Sequence, residues 1–504
     1  MKLNKVDYLL CILFALIAFI SRAPLIEHIQ SHWDGPQYSI AVVRYSFEQQ
    51  TPAPLGYPIY IGLAKLLYIF LHDPHKSILA VSVFASVCGA IVLFLVGKYM
   101  FNRTVGIIAT SIFLTGSTFY YFGLTAYPYL FLPVTDALLA CLVYFIFIKK
   151  RQLGIAFGAV LGISFGIRPQ ELGLVGLLSI VGFLFLSNKQ KAYAVLIFCI
   201  ITLSWLVPLV HTSGGIKHYT EINVQAIKGD LIHYSLPHNS ELMIKGFLLS
   251  FGISSIFLLY YLFALWRKKQ FSNWRVVLFY ALWIVPGFYF NFFVRTEHAG
   301  YQMSYLAGFL FLIAYAVWKT TERSKKLTAL AVFCIAVFNL SWFFYNRDPH
   351  YTKPYRPTSF HYSDIRKNDL QTGSKVNFVQ KTFNPKKTLI ITTDYLWRPY
   401  MYYLKHYQII ALTGLETNEN KIKYDRIDAL NWNMRSSVDR DQSVTIPKGI
   451  STIVFMDDAA YWWINKYPFK TYQLPGNSFV TSISVTPSNK IVYGYHFLKV
   501  LDGS

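Results

Sequence analysis

The chain has 504 residues, 54% of them hydrophobic and only 14% charged, with a formal net charge of +22. That balance excludes a water-soluble enzyme with a polar surface, so lipid is its main solvent. Most Lys and Arg sit in short runs between apolar segments, a topology signal that argues against nucleic acid as a partner.

Lys2 and Lys5 precede a first apolar run, Leu9 to Ile20. A cleaved signal peptide begins in the same way, but many spans follow and no clear small-x-small cleavage site precedes the next loop, so a retained helix is expected. Apolar stretches of helical length cover about 7 to 26, 77 to 97, 104 to 122, 129 to 148, 154 to 167, 171 to 186, 191 to 211, 244 to 266, 274 to 294, 300 to 318 and 327 to 345. A further stretch, 55 to 71, either spans or lies at the interface. The basic clusters are Lys98 with Arg103, Lys149-Lys150-Arg151, Lys189 with Lys191, Arg267-Lys268-Lys269 with Arg275, and Lys319 through Lys326. All fall on the side of the N-terminus if 55 to 71 does not span, and all change sides if it does. The positive-inside rule selects the first arrangement: an α-helical polytopic membrane protein of about eleven transmembrane helices, N-terminus in the cytoplasm and C-terminus outside.

Loops 27 to 54, 123 to 128, 212 to 243 and 295 to 299 then face outward. Composition changes just after Tyr345, which divides a membrane domain, 1–345, from an extracytoplasmic tail, 346–504. In the tail, 388 to 392 and 451 to 456 read as strands and 396 to 407 as a short helix, giving a small α/β domain. Its Tyr400, Tyr402, Tyr403, Trp462 and Trp463 suit a domain core or a sugar-stacking surface. The five cysteines (Cys11, Cys88, Cys141, Cys199, Cys334) lie inside apolar segments without a CxxC pair, so neither a disulfide framework nor structural zinc is expected.

Chemistry is expected in the first outer loop, His32-Trp33-Asp34-Gly35-Pro36-Gln37-Tyr38, followed by Pro52-Ala53-Pro54-Leu55-Gly56-Tyr57-Pro58. An Asp among aromatics has little water around it and becomes a better proton acceptor; the competing reading is a cap on the helix that starts near Pro36. Asp136 lies early in the fourth span, where an intramembrane carboxylate faces a cavity or partner, unless it caps a later helix start. The helix Gly154 to Ile167 is only about 21 Å long against a ~30 Å hydrocarbon core, so Arg168 sits below the outer surface, and Pro169 breaks the helix. An Arg there suits bidentate phosphate binding, or else snorkels to headgroups. The turn Arg295-Thr296-Glu297-His298-Ala299-Gly300-Tyr301 offers a second cation, or a surface pair of Arg295 with Glu297.

The order of one N-terminal span, an outward loop with an acid beside aromatics, and Pro-x-Pro-Leu-Gly-Tyr-Pro opening a helix resembles the C-type (GT-C) multi-span glycosyltransferases, such as protein O-mannosyltransferases and the lipid A aminoarabinose transferase. Asp136 near a span start, Gly-Ile-Arg168-Pro at a helix end, Gly300-Tyr301, and Trp397-Arg398-Pro399-Tyr400-Met401-Tyr402-Tyr403-Leu404 in the tail are similar too. The sequence departs from the mannosyltransferases at Asp34-Gly35, where they have paired acids, and at Ala53 in place of the first residue of their His-Pro-Pro. The resemblance implies inverting transfer of a hexosyl or pentosyl group from a polyprenyl-phosphate donor to a lipid, glycan or protein acceptor at the outer leaflet. It implies Asp34 as general base or acceptor-positioning carboxylate, Asp136 as a second acidic site residue and Arg168 as a donor-phosphate contact; His32, Tyr57, Arg295, His298 and Tyr301 are expected as further substrate contacts. No cofactor is demanded, although the two carboxylates could hold a divalent cation. A transporter or lipid flippase is the alternative class, but the one clear helix break, at Arg168-Pro169, has no mate in a second half.

Overall fold

The computed structural model describes residues 3–30, 34–47, 49, 51–230, 236–267, 274–294, 296, 299–345, 360–393, 397–413, 423–427, 442–456, 469–486, 490–494 and 497–501. Two compact units emerge. One comprises Met1–Ile26, Ala53–Tyr351 and Pro357–Ser363; the other comprises Glu27–Pro52, Thr352–Arg356 and Asp364–Ser504. The first outer loop, placed by composition with the membrane domain, thus folds up to Pro52 with the tail, because its backbone and its apolar Ile40 find their partners there.

In the first unit, seven helices among the described residues are long and apolar enough to cross a membrane: Lys5–Leu25, Pro74–Met100, Pro128–Ile148, Asn188–Thr212, Trp274–Val294, Ala299–Thr321 and Lys325–Tyr345. The expected stretch 244 to 266 is a pair, Leu236–Phe251 and Ser254–Arg267, bent by 102°. Gly252 sits in the break at φ +52, a conformation that side chains disfavour, and a Cβ there would collide with Asn339. The stretch 104 to 122 also divides, into Arg103–Thr115 and Ser117–Phe122. Fully buried Arg22 donates to the Leu114 carbonyl at 3.1 Å and lies 4.5 Å over the Tyr120 ring, so a cation meets the carbonyl end of the broken helix. Pro58–Leu71 forms a 14-residue helix, about 21 Å long and shorter than the hydrocarbon core.

Ion pairing pins the start of the first helix. Asn4 and Asp7 form a capping box, and buried Asp7 binds Lys98 at 2.6 Å and Arg103 at 2.9 Å, which ties Lys5–Arg22 to the end of Pro74–Met100.

The helix that ends at Arg168 is set by a small-residue seam. Gly154, Gly158 and Gly162 recur every four residues on Gly154–Ile167 and let it approach Asn188–Thr212 so closely that added Cβ atoms would strike Gln190, Ala194 and Ile201. Gly158→Leu is expected to cost about 1–3 kcal/mol through overpacking against the Ala194 backbone. Thermal unfolding in detergent reads the loss, and an unchanged midpoint would show that the seam is not under this constraint.

In the second unit, nine strands are described: β1 Thr388–Thr393, β2 Gln408–Thr413, β3 Lys423–Ile427, β4 Gln442–Thr445, β5 Thr452–Phe455, β6 Lys470–Leu474, β7 Ser478–Ser484, β8 Lys490–Gly494 and β9 Phe497–Leu501. Six form one sheet in the order β3-β2-β1-β5-β7-β6, and β4-β8-β9 form another. β1 pairs in parallel with β2 and β5, and the flanking pairs are antiparallel. A parallel β1–β2 step needs a crossover, which the helix Trp397–Tyr403 supplies. The β1 and β5 strands and this helix match the sequence expectation; the helix Tyr362–Thr382 was not anticipated, since its composition is polar. Trp397, Tyr400, Met401, Val376, Val379 and Ile390 share a core with Ile40 of the helix Gly35–Val43. Tyr400 is therefore core, and Tyr402 and Tyr403 pack against it. Trp462 and Trp463 lie outside the described residues.

Candidate functional site

The helix Gly35–Val43 begins with Pro36 in its first turn, where a missing N–H costs nothing. Asp34 stands at its N-cap position with helical φ/ψ and makes no side-chain cap, which removes the capping explanation for this carboxylate. Its Oδ1 lies 3.6 Å from Arg398 Nη1, an ion-pair distance longer than a hydrogen bond. The Asp34 side chain is 21% exposed and that of Arg398 is 4% exposed, so the carboxylate keeps access to solvent while its cation does not.

The preceding segment is strapped by polar bonds. The His28 and Ile29 amides both donate to Asp369 Oδ1 at 2.8 Å, Asn368 Nδ2 donates to the Ile29 carbonyl at 3.0 Å, and the Tyr403 hydroxyl accepts from the Gln30 amide at 3.0 Å. Arg366 donates to Asp369 Oδ2 at 2.6 Å, and the Gln30 side-chain amide donates to Ser39 Oγ.

In the membrane unit, a polar cluster forms where Gly154–Ile167 gives way to Glu171–Leu184. Arg168 is the C-cap residue of the first helix, in extended conformation, and its Nη1 lies 3.3 Å from Glu171 Oε1. Its guanidinium faces the rings of Tyr129 at 4.9 Å and Tyr301 at 5.3 Å. Ser304 Oγ donates to Glu171 Oε2 at 2.6 Å, and Ser304, Glu171 and Arg168 all lie close enough to Asp136 to interact with it. Asp136 and Glu171 are fully buried and Arg168 is 3% exposed, so Arg168 does not snorkel to headgroups. Asp136 falls in the second turn of Phe131–Val143 and caps nothing.

Tyr57 joins the cluster through the Pro-rich turn. Leu55, Gly56 and Tyr57 all have positive φ, and the two non-glycine residues are held there at about 1–3 kcal/mol each. Asn223 Oδ1 accepts from the Leu55 amide at 2.8 Å, and the Tyr57 hydroxyl accepts from Gln170 Nε2 at 3.0 Å. Asp136, Arg168, Tyr57 and Tyr301 therefore come together. His32, Arg295 and His298 lie outside the described residues. Glu171, Ser304 and Tyr129 were missed, although Glu171 stands three residues after Arg168 across the helix break, a spacing at which side chains meet.

The cluster holds two carboxylates against one guanidinium in a dry environment. Neither Asp136 oxygen and not the Arg168 Nε has a hydrogen-bond partner among the described residues. Buried polar groups are normally satisfied, so this is acceptor and donor capacity suited to a polar ligand.

No family model matches the sequence, and no curated protein matches it. Among solved structures, the chain resembles ArnT from Cupriavidus metallidurans bound to undecaprenyl phosphate, with a TM-score of 0.59 at 12% identity over 94% of this chain and 97% of that one. The apo state of that ArnT gives 0.58 at 13% identity with the same coverage. The fold is GT-C. ArnT is a lipid A aminoarabinose transferase, and the likeness extends over nearly the whole of both chains. The chain is a polytopic membrane protein with a small C-terminal sheet.

Proposed function

We propose that the chain is a membrane glycosyltransferase that moves a hexosyl or pentosyl group from a polyprenyl-phosphate donor to an acceptor hydroxyl, on a lipid, glycan or protein, at the outer face of the cytoplasmic membrane. The observation that carries this reading is the GT-C likeness over 94% of the chain, to a protein whose structure holds undecaprenyl phosphate. The distribution of Lys and Arg supports an N-terminus in the cytoplasm and a C-terminal domain outside.

Asp34 is the general base. It takes the proton of the acceptor hydroxyl, the acceptor oxygen forms a bond to the anomeric carbon, and the bond from that carbon to the phosphate oxygen breaks, its electron pair leaving with the polyprenyl phosphate. A single displacement of this kind inverts the anomeric centre. Arg168 is the donor-phosphate contact: Glu171 and the two tyrosine rings fix its plane, and its remaining N–H groups serve phosphate oxygens. Asp136 accepts hydrogen bonds from substrate hydroxyls. The phosphate is a ready leaving group, so the chemistry requires no cofactor, while the carboxylates keep the capacity to hold a divalent cation.

The stereochemical course tests the single-displacement reading. Nuclear magnetic resonance of the product is expected to show the anomeric configuration opposite to that of the donor, and retention would reject Asp34 as base in a direct displacement.

A further inference from the structure

We propose that Arg398 is a positioning residue for the Asp34 carboxylate, and that the C-terminal segment thereby supplies part of the catalytic apparatus. The proposal rests on the reading of Asp34 as base. Arg398 lies at the start of Trp397–Tyr403, the crossover between β1 and β2, and this helix is fixed by Trp397, Tyr400 and Met401 in the core of the second unit. Ile40, on the helix that Asp34 opens, belongs to the same core. The carboxylate and the guanidinium are therefore mounted on two elements locked to each other, with Asp34 Oδ1 and Arg398 Nη1 3.6 Å apart.

Holding the loop as such does not require this cation. Asp369, Asn368 and Tyr403 already fasten His28, Ile29 and Gln30 with four hydrogen bonds. Arg398 adds a buried charge, which is costly to desolvate, and aims it at a carboxylate that solvent still reaches. A planar guanidinium beside one oxygen restrains rotation of the carboxylate.

The test uses the full-length protein in lipid, with Arg398→Gln and Arg398→Lys compared with wild type in steady-state transfer. Arg398→Gln is expected to lower kcat by about 10–100-fold with the donor KM within about 3-fold, and Arg398→Lys to recover about 10-fold of any larger loss. A kcat within about 3-fold of wild type for Arg398→Gln, or a raised donor KM at unchanged kcat, would overturn the positioning role, the second by making Arg398 a donor contact. Wild type inactive with every donor would instead reject the glycosyltransferase reading. Labelling of Asp34 by a water-soluble carbodiimide, read by peptide mass spectrometry, is independent of turnover: faster labelling in Arg398→Gln supports the pairing, and equal rates overturn it.

Discussion

Asp34→Asn is expected to lower kcat by about 10²–10⁴-fold, the range that a positioned general base contributes, while the protein stays folded and the donor KM changes little. Asparagine keeps the size of the side chain and an oxygen able to face Arg398, but its amide cannot take a proton at neutral pH. Since Asp34 makes no side-chain cap, the helix Gly35–Val43 loses no capping bond in the variant. The effect should therefore appear in turnover and not in the yield of folded protein. Steady-state kinetics and a melting curve on the same preparation separate the two, and a variant with wild-type kcat would remove Asp34 from the mechanism.

Glu171→Ala is expected to destabilise the membrane unit by about 3–5 kcal/mol, because it takes the ion-pair partner from the buried Arg168 guanidinium. Arg168 is 3% exposed and its one ion-pair partner among the described residues is Glu171, at 3.3 Å. The two tyrosine rings, at 4.9 and 5.3 Å, recover only part of the loss, since cation–π contacts contribute about 2 kcal/mol when desolvated. Ser304 would also lose its acceptor. Glu171→Gln keeps an oxygen for both neighbours and should lie between the variant and wild type. Replacing all three charges, as Arg168→Met with Glu171→Leu and Asp136→Asn, should be milder than Glu171→Ala alone, since no uncompensated charge remains. Thermal unfolding in detergent ranks the three; Glu171→Ala within about 1 kcal/mol of wild type would show that Arg168 finds another partner.

Much of this architecture could be read from the residues. Apolar runs marked the membrane helices because a backbone in lipid must satisfy its own hydrogen bonds, and hydropathy reports that requirement directly. Hydropathy does not report where a run breaks: Gly116 and Gly252 interrupt continuous apolar stretches, and the need for glycine arises at Gly116 from the Ser250 carbonyl of a neighbouring helix and at Gly252 from its positive φ. Asp136 and Arg168 stood out because a charge inside an apolar helix is costly. Glu171 did not, since the first turn of a helix is also where an acid is unremarkable, and only the fold shows it fully buried beside Arg168. Asp34 was visible from its aromatic setting. Its partner Arg398 lies 364 positions further along the chain on a short helix, and no local pattern links the two. The same holds for Asp369, which looks like an ordinary helix-surface acid until His28 and Ile29 donate to it.

The most direct test of the account is transfer of radiolabelled sugar from polyprenyl-phosphate donors by the purified wild-type protein in lipid, with Asp34→Asn as the control. The account predicts a covalent glycosylated product and released polyprenyl phosphate with wild type, and neither with Asp34→Asn. Absence of product across a broad donor panel, together with uptake of label into proteoliposomes without a new covalent bond, would contradict it and make the protein a transporter.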